Sequence, residues 1–124
     1  MIIVEKGKEQ EEFLTFMEHA ITMLSEEQYE AFIALFDDSR MSEKELILAL
    51  KYLDETCSAV KIDNPKCVKK SMQRVDLIFL RDGSGYCMDY DLFTEGQPND
   101  LTVQIEFKKE KEGFFVTLED IHTL

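Results

Sequence analysis

Apolar positions recur with the period of a helix in the first half of the chain and with the period of a strand in the second. Phe13, Phe16, Met17, Ala20, Ile21 and Leu24 fall at i, i+3, i+4, i+7, i+8 and i+11. That spacing predicts one amphipathic helix from about Glu9 to Leu24. Ser25 with Gln28 has the spacing of a capping box and predicts a second helix beginning there. Its stripe is Tyr29, Phe32, Ile33 and Phe36, and Asp37-Asp38-Ser39 ends it. Ser42 with Glu45 repeats the capping signal and predicts a third helix through about Asp54 that buries Leu46, Leu50 and Leu53.

Val60-Lys61-Ile62 reads as a short edge strand and Asp63-Asn64-Pro65 as a turn, with Lys69 to Arg74 leading into the sheet. From Val75 the alternation is that of strands. Val75 to Arg81 and Tyr86 to Leu92 flank Asp82-Gly83-Ser84-Gly85, a hairpin turn. A four-residue loop there sets Phe79 against Met88, Leu77 against Tyr90 and Val75 against Leu92. After the loop Glu95 to Asp100, Leu101, Val103, Ile105 and Phe107 alternate with Thr102, Gln104, Glu106 and Lys108. Phe114, Val116 and Leu118 alternate with Phe115, Thr117 and Glu119. Successive strand side chains point to opposite faces, so each hairpin has one buried and one wet face.

Helices first and then antiparallel strands is the α+β order. The prediction is one domain, 1–124, with a helical part over 1–54 and a strand meander over 75–124. About three helices cover one face of a sheet of about four strands, and a cystatin-like cone suits that count. At 124 residues the chain can bury roughly two-thirds of its unfolded surface in one core.

Charge alters the picture more than composition does. The net charge is −12 and uneven: residues 1–60 carry −9, residues 61–74 carry +4 and residues 75–107 carry −6. Such a surface repels nucleic acid and attracts a basic protein. No apolar run is long enough for a membrane span, and the first residues meet charge too early for a signal peptide. Cys57, Cys67 and Cys87 are odd in number and lack Cys-x-x-Cys spacing, which reads as reduced thiols in the cytoplasm.

Chemistry is sparse. Asp89 and Asp91 lie about 7 Å apart on one strand face, and Asp120 and His122 sit near the C-terminus, but a metal site needs three or four convergent ligands. Neither His19 nor His122 lies beside a nucleophile, and Asp82-Gly83-Ser84-Gly85 opens no helix that could cradle phosphate. The expectation is no catalytic residue, no metal and no cofactor.

The wet face is the better candidate. Pairing Phe107 with Phe114, Ile105 with Val116 and Val103 with Leu118 sets Glu106 beside Phe115, Gln104 beside Thr117 and Thr102 beside Glu119. One face then presents Asp76, Asp89, Asp91, Gln104, Glu106 and Glu119 around Ile78, Leu80 and Phe115. Apolar groups rimmed by charge of one sign suit a protein partner.

Asp89-Tyr90-Asp91-Leu92-Phe93-Thr94-Glu95, Asp100 to Phe107, and Gly113 through Leu118-Glu119-Asp120-Ile121-His122-Thr123-Leu124 together resemble a family of small bacterial proteins that end in Leu-Glu-Asp-Ile-His-x-Leu. The resemblance covers about the last forty residues and implies no catalytic residue. In size and charge the chain is also similar to immunity proteins that neutralise secreted bacterial toxins. The leading expectation is therefore a binding protein that blocks a basic toxin domain through Asp76, Ile78, Asp89, Asp91, Gln104, Glu106, Phe115 and Glu119. A second is a ligand or enzyme pocket between helices and sheet, lined by Phe79, Met88, Tyr90 and Phe107. A third is a homodimer in which Ile78 and Phe115 meet their symmetry mates.

Overall fold

Glu9, Glu11 and Glu12 occupy the first turn of α1 (Glu9–Ser25), where carboxylates complement the helix dipole. Its stripe buries Phe13, Met17, Ala20, Ile21 and Leu24 as the period requires. The computed structural model describes residues 1–123. Ser25 does not cap a second helix. It is the last residue of α1, and its hydroxyl donates to Thr22 O at 2.6 Å, the competing local bond open to serine. The helix closes instead with Gln28 N–H donating to Met23 O and Glu27 N–H to Leu24 O, both at 3.1 Å, while Glu27 adopts φ 60.

Helix α2 (Tyr29–Ala34) follows, and Asp38–Ser39 then forms β1. The capping box at α3 (Glu43–Leu50) forms as its sequence predicts: Glu45 N–H donates to Ser42 Oγ and Ser42 N–H to Glu45 Oε1, both at 3.1 Å. This helix stops at Leu50 rather than near Asp54. Leu53 N–H folds back to Leu48 O at 3.0 Å, with Tyr52 and Leu53 at φ 55 and 64. Leu53 is consequently 76% exposed and is not a core residue.

Segment 55–74 forms no assigned strand; it carries a 3₁₀ turn, Pro65–Cys67, capped by Asn64. Asp63 anchors it, accepting from Glu95 and Gly96 N–H at 3.1 and 2.8 Å. The sheet consists of β2 (Val75–Phe79), β3 (Gly85–Thr94), β4 (Gln97–Lys109) and β5 (Phe114–Thr123), a meander, with β1 added beyond β5. The order is β1-β5-β4-β3-β2, antiparallel except for the parallel pair β1/β5. The fold is α+β with a five-stranded mixed sheet. The fifth strand is two residues long and held by Asp37 N–H to Val116 O and Arg40 N–H to Leu118 O, each at 2.9 Å.

Register differs from the alternation-based expectation. Phe79 pairs with Tyr86, Leu77 with Met88 and Val75 with Tyr90, a two-residue displacement that places the turn one residue earlier, with Leu80 N–H donating to Gly85 O. In the last hairpin Lys109 pairs with Phe114, Phe107 with Val116 and Ile105 with Leu118. Both displacements are even, so no side chain changes face. A bulge then inserts one residue on β5, and Gln104 pairs with Asp120, Val103 with Ile121 and Thr102 with His122.

The inner face meets the helices in one core cluster. Phe13 stacks on Phe107 with centroids 4.1 Å apart and meets Phe114 edge-on at 4.9 Å. Burying a side chain of this kind contributes about 2–3 kcal/mol. Gly85 begins β3 because a Cβ there would lie 2.0 Å from Phe107 O.

Candidate functional site

The outer face is built by the same strands from the alternate residues, and it is organised in cross-strand rows. One row runs Asp76, Asp89, Gln104, Asp120, and the next Ile78, Cys87, Glu106, Thr117. Another joins Asp91, Thr102 and His122. All eight residues expected on this face lie on it. Their neighbours are different. Glu106 lies beside Thr117, not Phe115; Gln104 beside Asp120, not Thr117; Thr102 beside His122, not Glu119.

Phe115 pairs with Lys108 near one end of β5, whereas Ile78 sits on β2. Two strands separate them, so with strands about 4.8 Å apart they are roughly 14 Å from each other. Ile78, Leu80 and Phe115 therefore form no single apolar patch. What lies between them is acidic.

Most carboxylates have a local partner. Gln104 Nε2 donates to Asp89 Oδ1 at 3.1 Å and Thr102 Oγ1 to Asp91 Oδ1 at 3.0 Å. Arg74 Nε lies 3.2 Å from Asp76 and 3.7 Å from Asp91. Arg40 Nε lies 2.7 Å from Glu119, and His122 Nδ1 lies 3.3 Å from Asp120. The compensating arginines thus sit on the two margins of the sheet. Glu106, in the middle, has no ion-pair partner among the described residues. Asp76 directly faces Asp89, a like-charge pair that costs stability.

The field of this arrangement shows in its titrating groups. Burial pushes the Cys87 thiol up to about 11, with the charges of Asp89, Glu119 and Glu106 adding to it. Such a thiol is protonated at neutral pH and is a poor nucleophile. The Glu119 carboxyl is held above its ordinary value, first by burial and then by Glu106, Asp38 and Asp120, against the opposing pull of Arg40. Both shifts come first from burial, with the neighbouring carboxylates adding a smaller contribution of the same sign.

Arg74, Arg40 and Asp120 take part without having been among the expected site residues. Arg74 was accessible to sequence reasoning, because it shares the period-2 face of Asp76. Arg40 was not, since β1 is too short to carry an alternation. Asp120 joins Glu119 on this side only through the bulge, for which the sequence carries no local signal.

Of the four residues expected to line a pocket, Met88, Tyr90 and Phe107 are buried in the core cluster and Phe79 is exposed at the sheet edge. Among the described residues no group of three metal-ligating side chains converges, and no helix is long and apolar enough to cross a membrane.

The architecture defines the class: an α+β layer pair whose helices pack on the inner face of the sheet. Residues 69–124 match the family model of a domain of unknown function, DUF7668. That segment is just under half the chain and comprises the basic lead-in and β2 to β5. No curated protein and no solved structure matches, so nothing in these comparisons supports the likeness to toxin immunity proteins.

Proposed function

We propose that this chain is a non-enzymatic binding protein whose outer sheet face takes a basic protein partner, as an immunity protein takes a toxin domain. One observation carries the reading. Carboxylates lie across the outer face of the sheet, half-buried at its centre, while the arginines that pair with some of them sit at its margins. A lysine or arginine seated over Cys87 would meet Glu106 and Asp89, beside the Glu119 that Arg40 already holds at 2.7 Å. Asp76 and Asp91, already engaged by Arg74, form the rim with Gln104. Ile78 and Phe115 supply two separate apolar contacts that flank the charged centre. The bulges at Asp91/Phe93 and Gln104/Ile105 support a curved, cone-like sheet of cystatin type. The same charge disfavours nucleic acid, and the reading places the protein in the cytoplasm.

The test is capture from native lysate by the wild type and by Asp89→Lys/Glu106→Lys, which reverses charge where no arginine is engaged. A basic protein retained by the wild type and lost by the variant supports the reading. Equal retention by both removes this face from consideration.

A second reading, a small-molecule site, is favoured by an open cavity of about 330 Å³ between α3 and β5. Leu48, Leu101 and Ile121 give it an apolar wall, and Tyr52, Asp120 and His122 a polar one. A thermal-shift screen with amphiphilic amines tests it, since the carboxylate beside an apolar wall suits an organic cation.

A further inference from the structure

The two edges of this sheet are treated differently. Strand β1 closes one edge with two residues flanked by Asp37 and Arg40. Strand β2 leaves the other edge open. Arg74 O accepts from Asp91 N–H at 3.2 Å, and Leu80 N–H donates to Gly85 O at 2.9 Å. In an antiparallel ladder these positions alternate, so Asp76 and Ile78 also bond toward β3. The N–H and C=O groups of Val75, Leu77 and Phe79 therefore point out of the sheet, and none has a hydrogen-bond partner among the described residues.

Nothing in β2 guards that edge. Natural edges are blunted by lysine, proline, a bulge or a covering segment. Val75-Asp76-Leu77-Ile78-Phe79 has one charge, no proline and no register break, and Ile78 and Phe79 are 51% and 60% exposed on its two faces.

We propose that two copies of this chain pair antiparallel through β2 about a two-fold axis at Ile78, joining their sheets into one of ten strands. Three registers satisfy the outward-pointing groups, and side-chain chemistry separates them. Centring on Asp76 sets Asp76 against its own copy beside two Asp89 carboxylates, a like-charge cluster that costs stability. Centring on Leu77 sets Asp76 against Ile78. Centring on Ile78 sets Ile78 against Ile78 on the outer face and Leu77 against Phe79 on the inner face. The same register brings Arg74 to the level of Asp82 in the second copy at both ends. The three central pairs are thus apolar and the end pairs of opposite charge, with Asp76 opposite Leu80 and Val75 opposite Arg81 between them. The segment 61–74 that leads into this strand carries a net +4 in a chain of net −12. The surface is isologous and closes on itself, as a dimer interface must.

Sedimentation velocity from micromolar to submillimolar protein tests this on the full chain. The wild type is expected to show twice the 14.5 kDa chain mass at the upper end. Leu77→Pro removes an N–H that bonds to nothing within the monomer and blocks the approach of a second strand. It is expected to give a folded monomer by circular dichroism. Ile78→Lys changes an exposed side chain and is expected to weaken the dimer at least about tenfold, as a gatekeeper charge on an edge does. If Leu77→Pro fails to fold, Ile78→Lys decides alone. The outer-face variant Asp89→Lys/Glu106→Lys is expected to stay dimeric, which separates the strand pairing from the acidic centre of the outer face, Ile78 being common to both surfaces. A wild type that remains monomeric throughout, with the edge left for a foreign strand, overturns the proposal. A dimer that survives Ile78→Lys unchanged overturns it too, because its interface then lies elsewhere.

Discussion

The inner and outer faces of this sheet share every strand and every ladder hydrogen bond, yet they hold different kinds of information. Inward, Met88, Tyr90, Val103, Ile105, Phe107, Val116 and Leu118 are all buried and meet the helices in one cluster. Outward, Asp76 is exposed and Cys87, Asp89, Asp91, Gln104, Glu106 and Glu119 are half-buried. Their charges are arranged at a net cost, with aspartate facing aspartate and the arginines held to the margins. Stability resides in the first face. The second carries a like-charge pair, Asp76 facing Asp89, beside the Arg74 that offsets it.

Adjacent residues on β4 break the comparison most sharply. Phe107→Ala deletes a buried ring stacked on Phe13 and is expected to cost about 3–5 kcal/mol in chemical denaturation. Glu106→Ala, one residue away on the opposite face, is expected to stay within about 0.5 kcal/mol of the wild type. Equal losses would mean that the outer face is also structural.

Smaller effects sharpen the electrostatic half. The folded Glu119 carboxyl binds its proton more tightly than the unfolded one. Between the ordinary glutamate value and the raised value the folded protein holds more protons, so stability falls as pH rises through that window. Glu119→Gln, which lacks that cost, is expected to gain up to about 1 kcal/mol relative to the wild type at neutral pH. The gain is expected to vanish as pH drops below the ordinary glutamate value, and thermal melts at the two pH values read it. Smallest is Asp89→Asn, which keeps an acceptor for Gln104 and removes the repulsion with Asp76. It is expected to stabilise by a few tenths of a kcal/mol, less in high salt.

Much of this contrast was legible before the structure, for a reason particular to strands. The expected hairpin registers were displaced by two residues in both hairpins, but a period of two makes an even displacement harmless to face assignment. Every expected outer residue therefore faces outward while its neighbours changed, and Phe115 moved from the acidic centre to Lys108. The helices divide in the same way. Ser42 capped α3 as its spacing predicts, whereas Ser25, with the same kind of signal, bonded back into α1. Helix ends at Glu27 and Tyr52 depend on left-handed residues that are not glycine, so the sequence carries no mark of them. Strand β1 and the β5 bulge depend on tertiary pairing alone, and with them went Arg40 and Asp120.

The central claim is that the outer face draws a basic partner by its field. The most direct measurement is the association rate constant of the wild-type chain with its captured partner as ionic strength rises. The account predicts a fall of at least about tenfold between low salt and 1 M, with the dissociation rate much less affected. An association rate that stays flat with salt would contradict it.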